Sequence, residues 1–519
     1  MKAVLKTVVP IACVLLFTGC PTQGVVCGEG MSACGEVCVD LQSSPQSCGA
    51  CGVSCGDGQI CQESACACAP GAALCDGACV VTATNPDHCG ACGNACGESE
   101  VCDDGLCKVS CSAPTTQCGQ SCVALDSDAA NCGACFNACE QGQSCNGGKC
   151  GWDFVAACFT NGQVVGLQAG TFVKGEVKPL GTGPQSLAAH GDVVFSVDGI
   201  DSKLYQASAS TLDKLSSEAG IGQFANHVLV DGNHTFVVNS GAGTLQILRA
   251  SGEADPAAGV ALETVGEFPF GDNAFPQVAA KVGDKVYVTL LGGFGAEEAL
   301  PGQKVVELDV SNPAMPTKGR EFDLTGLELR AFSAETQNFP RPQGIAAKGD
   351  VLYVALNNSD AFYGLAGPGY VAVIPLGDGE MKAIELPEDK CLNATWIAAQ
   401  GDQIVVGCAG RAAYDPNTFQ LLSVDATGVA LIEQDQVAGA VSFKCADGDS
   451  TCAPPMVGRF SIKGDDILVG DQNAGRIFVV GIAPGTLTEK RGPLGGTALN
   501  VCPVGPAGFS NVADILALP

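Results

Sequence analysis

Histidine is scarce in this chain of 519 residues, which has four, and none stands in a His-Glu-x-x-His or two-histidine spacing. That removes the common motif-borne metal centres. There is no Gly-x-Ser-x-Gly turn to carry a nucleophilic serine. Basic residues are also few: 26 Lys and Arg stand against 55 Asp and Glu, a formal charge of −29. Such a field repels phosphates, so nucleic acid and bare anionic lipid are excluded as partners, while cations and basic proteins stay open. No internal apolar run is long enough to span a membrane. With 46% apolar and 16% charged residues the chain still folds, and its length implies several domains. No catalytic residue, metal ligand or cofactor is expected from these patterns.

What the chain has in excess is cysteine, 32 residues, and glycine, 69. Met1-Lys2 and Lys6 precede an apolar stretch from Val8 to Phe17, then Thr18-Gly19-Cys20. A basic start, a short apolar middle and small residues before a cut make residues 1–19 a signal peptide. Leu16-Phe17-Thr18-Gly19-Cys20 resembles the bacterial lipobox, which implies cleavage before a lipid-bearing cysteine and a lipidated Cys20 at the mature terminus. Ordinary cleavage would leave Cys20 a bare thiol. Residues 20–26 are a linker.

Setting aside Cys13 in the leader leaves 31 cysteines, of which 24 lie between Cys27 and Cys150. They form three copies, at 27–66, 68–107 and 111–150, with identical gaps of six, three, nine, two, three, five and four residues. Each copy is too small to fold on an apolar core alone. In an exported protein such spacing is a disulfide framework, although Cys48-x2-Cys51, Cys89-x2-Cys92 and Cys132-x2-Cys135 also have zinc-ligand spacing. Eight cysteines per copy give four bridges whose pairing is left open. The segments Ser47–Cys55, His88–Cys96 and Asn131–Cys139 share the pattern Cys-Gly-Ala-Cys. On these residues the region resembles the stigma-specific cysteine-rich secreted family, which implies an extracellular module without catalysis. Phe136 stands where the other copies have Gly52 and Gly93. It either caps the third module against the next domain or is an exposed aromatic contact. Linkers as short as Ala67 and Lys108–Ser110 predict a fairly stiff stalk.

From Trp152 to Pro519 another rhythm begins. Six tight turns, at Gly191-Asp192, Gly232-Asn233, Gly283-Asp284, Gly349-Asp350, Gly401-Asp402 and Gly464-Asp465, each join two apolar β-runs. Their spacing is that of β-propeller blades with loop insertions. The final segment Phe509–Leu518 reads as a lone first strand, and 153–180 as the rest of the same blade. The expected fold is therefore all-β, a seven-bladed propeller closed by pairing both chain ends, behind three disulfide-rich modules. Arg341–Val354 resembles the surface-layer (YVTN-like) propeller repeat, and Val305–Pro316 the LVIVD-type repeat. Those resemblances imply a bacterial cell-surface propeller, a fold that hosts binding modules and some lactonase-type hydrolases.

Seven residues before the turn Asp or Asn stand Gln185, Asn226, Gln277, Gln343 and Thr395 in five successive blades. Five polar groups at one depth of the innermost strands would ring the central channel. They either tie strands to their neighbours or bind a ligand. His227, next to Asn226, is expected to enter the packing between blades. The acidic turns Gly199–Asp201 and Asp447–Asp449 do not match a calcium loop. Strand pairing predicts bridges Cys391–Cys408 and Cys158–Cys502, the latter locking the ring, and Cys445–Cys452 across a loop. Cys20 is then the one cysteine left over. The expected function is a lipid-anchored surface protein, in the outer membrane or on the cell surface. Its partners would be the membrane, through the lipid, and a macromolecule or glycan. A lactonase-type hydrolase and a purely structural envelope protein are the alternatives.

Overall fold

The computed structural model describes residues 32–518 apart from 35–36, 40, 43–46, 57–58, 63, 69–70, 141, 171, 253–254, 256, 296–301, 416–420, 446–451, 492–497 and 505–509. Cys20, the leader and the Asp447–Asp449 turn lie outside the described residues. Among those described there is no α-helix, and none of their elements is a helix long and apolar enough to cross a membrane. The chain divides into two compact units, residues 1–69 and 70–519.

The first unit holds module one. Its short hairpins pair Ser32–Cys34 with Val37–Val39 and Gln59–Gln62 with Ala65–Cys68. Three bridges cross it: Cys34–Cys51, Cys48–Cys61 and Cys55–Cys66.

In the second unit, module three shows the whole order left open by the sequence: Cys111–Cys122, Cys118–Cys135, Cys132–Cys145 and Cys139–Cys150. In module three this joins the first cysteine to the third, the second to the fifth, the fourth to the seventh and the sixth to the eighth. Module two repeats the last three pairings as Cys75–Cys92, Cys89–Cys102 and Cys96–Cys107. Sulfur atoms of Cys89, Cys96 and Cys107 gather closely enough to suggest a metal cluster, as do their counterparts in the other modules. All are disulfide-bonded, so no thiolate remains to hold an ion.

Modules two and three share one sheet rather than standing as two beads on a linker. Val101–Asp103 runs parallel to Ser121–Val123 and joins their hairpins into four strands. Asp103 is buried there and accepts from Lys108 Nζ at 2.8 Å and from the Ser112 amide at 3.0 Å.

Phe136 does not cap anything: its side chain is 77% exposed. It sits at φ +63°, where Gly52 and Gly93 sit at +75° and +76°. The turn demands this left-handed backbone because the residue five before it accepts its amide. Ser47 Oγ, His88 Nδ1 and Asn131 Oδ1 do so at 3.1, 2.9 and 2.7 Å. A short side-chain acceptor is needed at that place, which explains how Ser, His and Asn interchange there.

The head begins in a joint with module three. Gly166 and Gly175 open a slot for the Trp152 indole, which any Cβ at either position would strike. Asp153 is buried and accepts from Ser144 Oγ (2.6 Å), the Ala169 amide (2.8 Å) and Lys463 Nζ (2.9 Å). Burial pushes its carboxyl up, but these donors outweigh it and hold the group below its ordinary value. The Asp153 carbonyl also accepts the Leu518 amide at 2.8 Å. One residue thus ties module three, two sheets and the chain's end together.

Beyond the joint the described residues form six four-stranded antiparallel meanders, one five-stranded sheet and a separate two-stranded hairpin, Arg411–Tyr414 with Leu421–Asp425. Each meander begins after a turn and alternates Val, Ile, Leu and Phe into the space between sheets, where seven clusters of buried side chains form. The first strands of successive sheets are Pro184–His190, Ala225–Asp231, Pro276–Val282, Phe339–Lys348, Ala394–Gln400 and Val457–Lys463. Each adjoins the next, and Val512–Ala517 adjoins both the last and the first. The arrangement is propeller-like. Val512–Ala517 pairs with Phe154–Cys158, so the first and last described strands of the head share a sheet.

Cys158 is bonded to Cys502, 344 residues away, with Cα atoms 5.4 Å apart. Cys391 is bonded to Cys408 and Cys445 to Cys452.

Candidate functional site

Every first strand of the head carries an irregularity near its start. Pairing slips between Pro184 and Ser186, Ala225 and His227, Pro276 and Ala279, Pro342 and Ile345, Ala394 and Trp396, and Val457 and Phe460. Val512–Ala517 slips at Ala513. A bulge inserts an unpaired residue and re-aims its side chain. The residues so placed include Gln185, Asn226, Gln277, Gln343 and Thr395, together with Gly458 and Ala513. All seven line one cavity of about 450 Å³.

The five sequence candidates therefore converge, but unequally. Gln185 Nε2 donates to Asn226 Oδ1 at 3.3 Å, and Asn226 Nδ2 donates to Gln277 Oε1 at 3.0 Å. Gln277 Nε2 donates in turn to Ser240 Oγ at 2.9 Å. This arc satisfies itself. Thr395 Oγ1 reaches the Gly407 carbonyl of the paired strand Gln403–Cys408 at 3.5 Å. Gln343 contributes only its backbone carbonyl, to Thr289 Oγ1, and its carboxamide has no partner among the described residues.

Three residues of the site carry no signal in the repeat alignment. Arg459, beside Gly458 in the same bulge, donates to the carbonyls of Gln185 (3.3 Å) and Asn226 (2.6 Å) and pairs with Asp514 at 3.4 Å. Its guanidinium lies 4.5 Å over the Trp396 ring. Trp396 in turn approaches His227, 6.0 Å between centroids, from a sheet that is not its neighbour. Arg459 and Trp396 thus lie across the axis and floor the cavity. Gln472, on the turn after Asp466–Asp471, faces Gly458, where a Cβ would press against its side chain at 2.7 Å. A longer residue at 458 would displace it.

Burial pushes the Asp514 carboxyl up and the Arg459 guanidinium down, and their mutual attraction opposes both. The Leu187 amide also donates to Asp514, at 2.8 Å. The pair is thus internally neutral. Burial, aided by the Arg459 charge, holds His227 at about 3, so it is a neutral acceptor, taking the Ala279 amide on Nδ1 at 3.3 Å.

At the Gly199–Asp201 turn the buried Asp198 carboxylate accepts the amides of Thr182, Gly183, Ile200 and Asp201 at 2.6–3.2 Å. It is filled by the protein's own donors. Among the described residues the cavity lining offers no carboxylate, imidazole or thiol.

Residues 105–153 match the Stigma-specific STIG1-like protein family. No curated protein matches the chain. Among solved structures, one assigned as a 6-phosphogluconolactonase from Bacteroides fragilis is 13% identical, covers 70% of this chain and 97% of its own, and has a TM-score of 0.47. A second so assigned, from Bacteroides uniformis, is 14% identical over 67% of this chain and 96% of its own, with a TM-score of 0.44. AztD of Citrobacter koseri is 12% identical over 70% and 98%, with a TM-score of 0.37. At these identities and TM-scores the resemblances say nothing about activity.

Proposed function

We propose that this is an exported binding protein, lipid-anchored through Cys20, whose cysteine-rich modules carry a closed seven-bladed propeller to a partner at the cell surface. The observation that carries the reading is the convergence of bulge-borne amides and a hydroxyl on one cavity without any group suited to bond cleavage. Cysteine density supports an oxidising, extracytoplasmic location. The lipobox-like Leu16–Cys20 supports the anchor, and a cell-wall macromolecule or glycan is the partner class that such a location offers.

Two measurements test it together. Intact-mass analysis of the membrane form should show an acylated Cys20 terminus, and Cys20→Ser should release the protein from membranes. Immobilised full-length protein should retain material from cell-wall and envelope fractions. An unmodified terminus contradicts the anchor. Failure to retain anything from the envelope contradicts the binding role and favours a purely structural one.

A further inference from the structure

The ring of bulges is chemically lopsided, and the lopsidedness selects a ligand class. On one arc Gln185, Asn226 and Gln277 spend their amides on each other and on Ser240. On the other, the Gln343 carboxamide faces the cavity with no protein partner among the described residues, Thr395 holds only a long bond to the next strand of its sheet, and Gln472 reaches in over Gly458. A half-buried amide without a partner loses its hydration unless something polar meets it.

Charge narrows the choice. The one ionised side chain in the lining, Arg459, is cancelled by Asp514 and already spends donors on two carbonyls. An anion gains no free positive charge there, and a cation meets no carboxylate. Carboxamides and a hydroxyl each donate and accept, as do the hydroxyls of a sugar, and Phe159 adds an aromatic face to the lining.

The surrounding loops agree. The bulges lie where first strands begin, which is where second strands end, so the described residues of the loops that follow the second strands lie at the same end of the sheets as the bulges. Phe294 and Phe362 stand on two such loops, 64% and 74% exposed, and Phe224 directly before a bulged strand is 67% exposed. Phe224 is also held at φ +49°, a conformation that costs an aromatic residue energy.

We infer that the cavity binds a neutral carbohydrate, with Gln343, Thr395 and Gln472 reading its hydroxyls and the exposed phenylalanines stacking on further units of a glycan chain. This rests on the proposed binding role, whose site and ligand class it names.

The chain reports on its own cavity, because it has two tryptophans and Trp152 is buried in the joint while Trp396 lines the site. Full-length protein is titrated, with tryptophan fluorescence as readout, against methyl glycosides of neutral hexoses and N-acetylhexosamines, the matching hexuronic acids and hexosamines, and a neutral polar tripeptide. A neutral glycoside should shift the emission, and Trp396→Phe should abolish the response. Gln343→Ala and Gln472→Ala should each weaken binding by about fivefold to tenfold with unchanged melting curves. Gln185→Ala should lower the melting temperature instead. The inference is overturned if the uronic acids, the hexosamines or the peptide bind tighter than every neutral glycoside, or if none of the neutral glycosides responds. Retention of envelope material undiminished by Gln343→Ala and Gln472→Ala would overturn this site while leaving the binding role intact. Loss of retention by the wild-type chain would overturn the role itself.

Discussion

Between residues 71 and 150 the buried apolar positions are mostly half-cystines, among them Cys75, Cys89, Cys102, Cys118, Cys132 and Cys145, with Val101 and Val123 the aliphatic exceptions. In the head the same role falls to side chains such as Phe154, Val194, Phe236, Val288, Leu352, Val405 and Phe478, drawn from each meander and from the five-stranded sheet. Module strands are three or four residues long, too short to organise anything by pairing alone. Head strands of six or seven residues stack their faces against a neighbouring sheet on each side. The difference teaches where covalent bonds are needed: they make the modules, and in the head they only secure what packing has made.

The sharpest way to break this contrast is reduction. Mild reductant should remove the structure of residues 75–150 while the head keeps its β signal, seen as selective proteolysis of the modules. Equal sensitivity of both parts would dissolve the distinction. Next in size is Cys158→Ser with Cys502→Ser, which removes the one covalent closure of the head. A loss of about 2–5 kcal/mol is expected in denaturant melts, with hydrogen exchange rising first in Phe154–Cys158 and Val512–Ala517.

Asp153→Ala should cost about 2–4 kcal/mol, because Lys463 and the Ala169 amide lose a buried acceptor. The same change should release module three from the head, visible as new protease sites near residue 151. A fourth effect depends on pH. His227 stays neutral in the folded head down to about 3, whereas in the unfolded chain it protonates near 6.5. The unfolded state therefore binds the extra proton, and stability should fall as pH drops below that value, by about 2 kcal/mol at pH 5. His227→Gln should flatten that part of the stability profile. Smallest is Phe136→Gly, which relieves a left-handed phenylalanine and should stabilise module three by less than about 1 kcal/mol. If Phe136 is a contact, that variant gains stability while losing a partner.

Sequence reading reached the head's site through a spacing rule, seven residues before the turn, and that rule works because the bulge recurs at one depth. Applied to the sixth turn it lands on Gly458, which has no side chain to draw notice. Arg459 is one residue off the rule and is visible only once two residues share the bulge. Gln472 lies on another strand's turn, so no alignment of first strands finds it. The joint was hidden for a different reason: Trp152 and Asp153 fall at the composition boundary, where cysteine counting stops and strand counting has not begun. Phe136 was noticed as a departure, but whether a side chain lies in or out of contact depends on a neighbour's placement. Bridge order within the modules was illegible because eight cysteines in one small module permit many pairings.

Peptide mapping of the native, unreduced protein tests the central claim most directly, since it reads both regions at once. Each module should yield its first cysteine linked to its third, second to fifth, fourth to seventh and sixth to eighth, and the head should yield Cys158 linked to Cys502. Module cysteines found as thiols or in scrambled pairs, or Cys158 free or bridged elsewhere, would contradict the account of covalently built modules and a packed, clasped head.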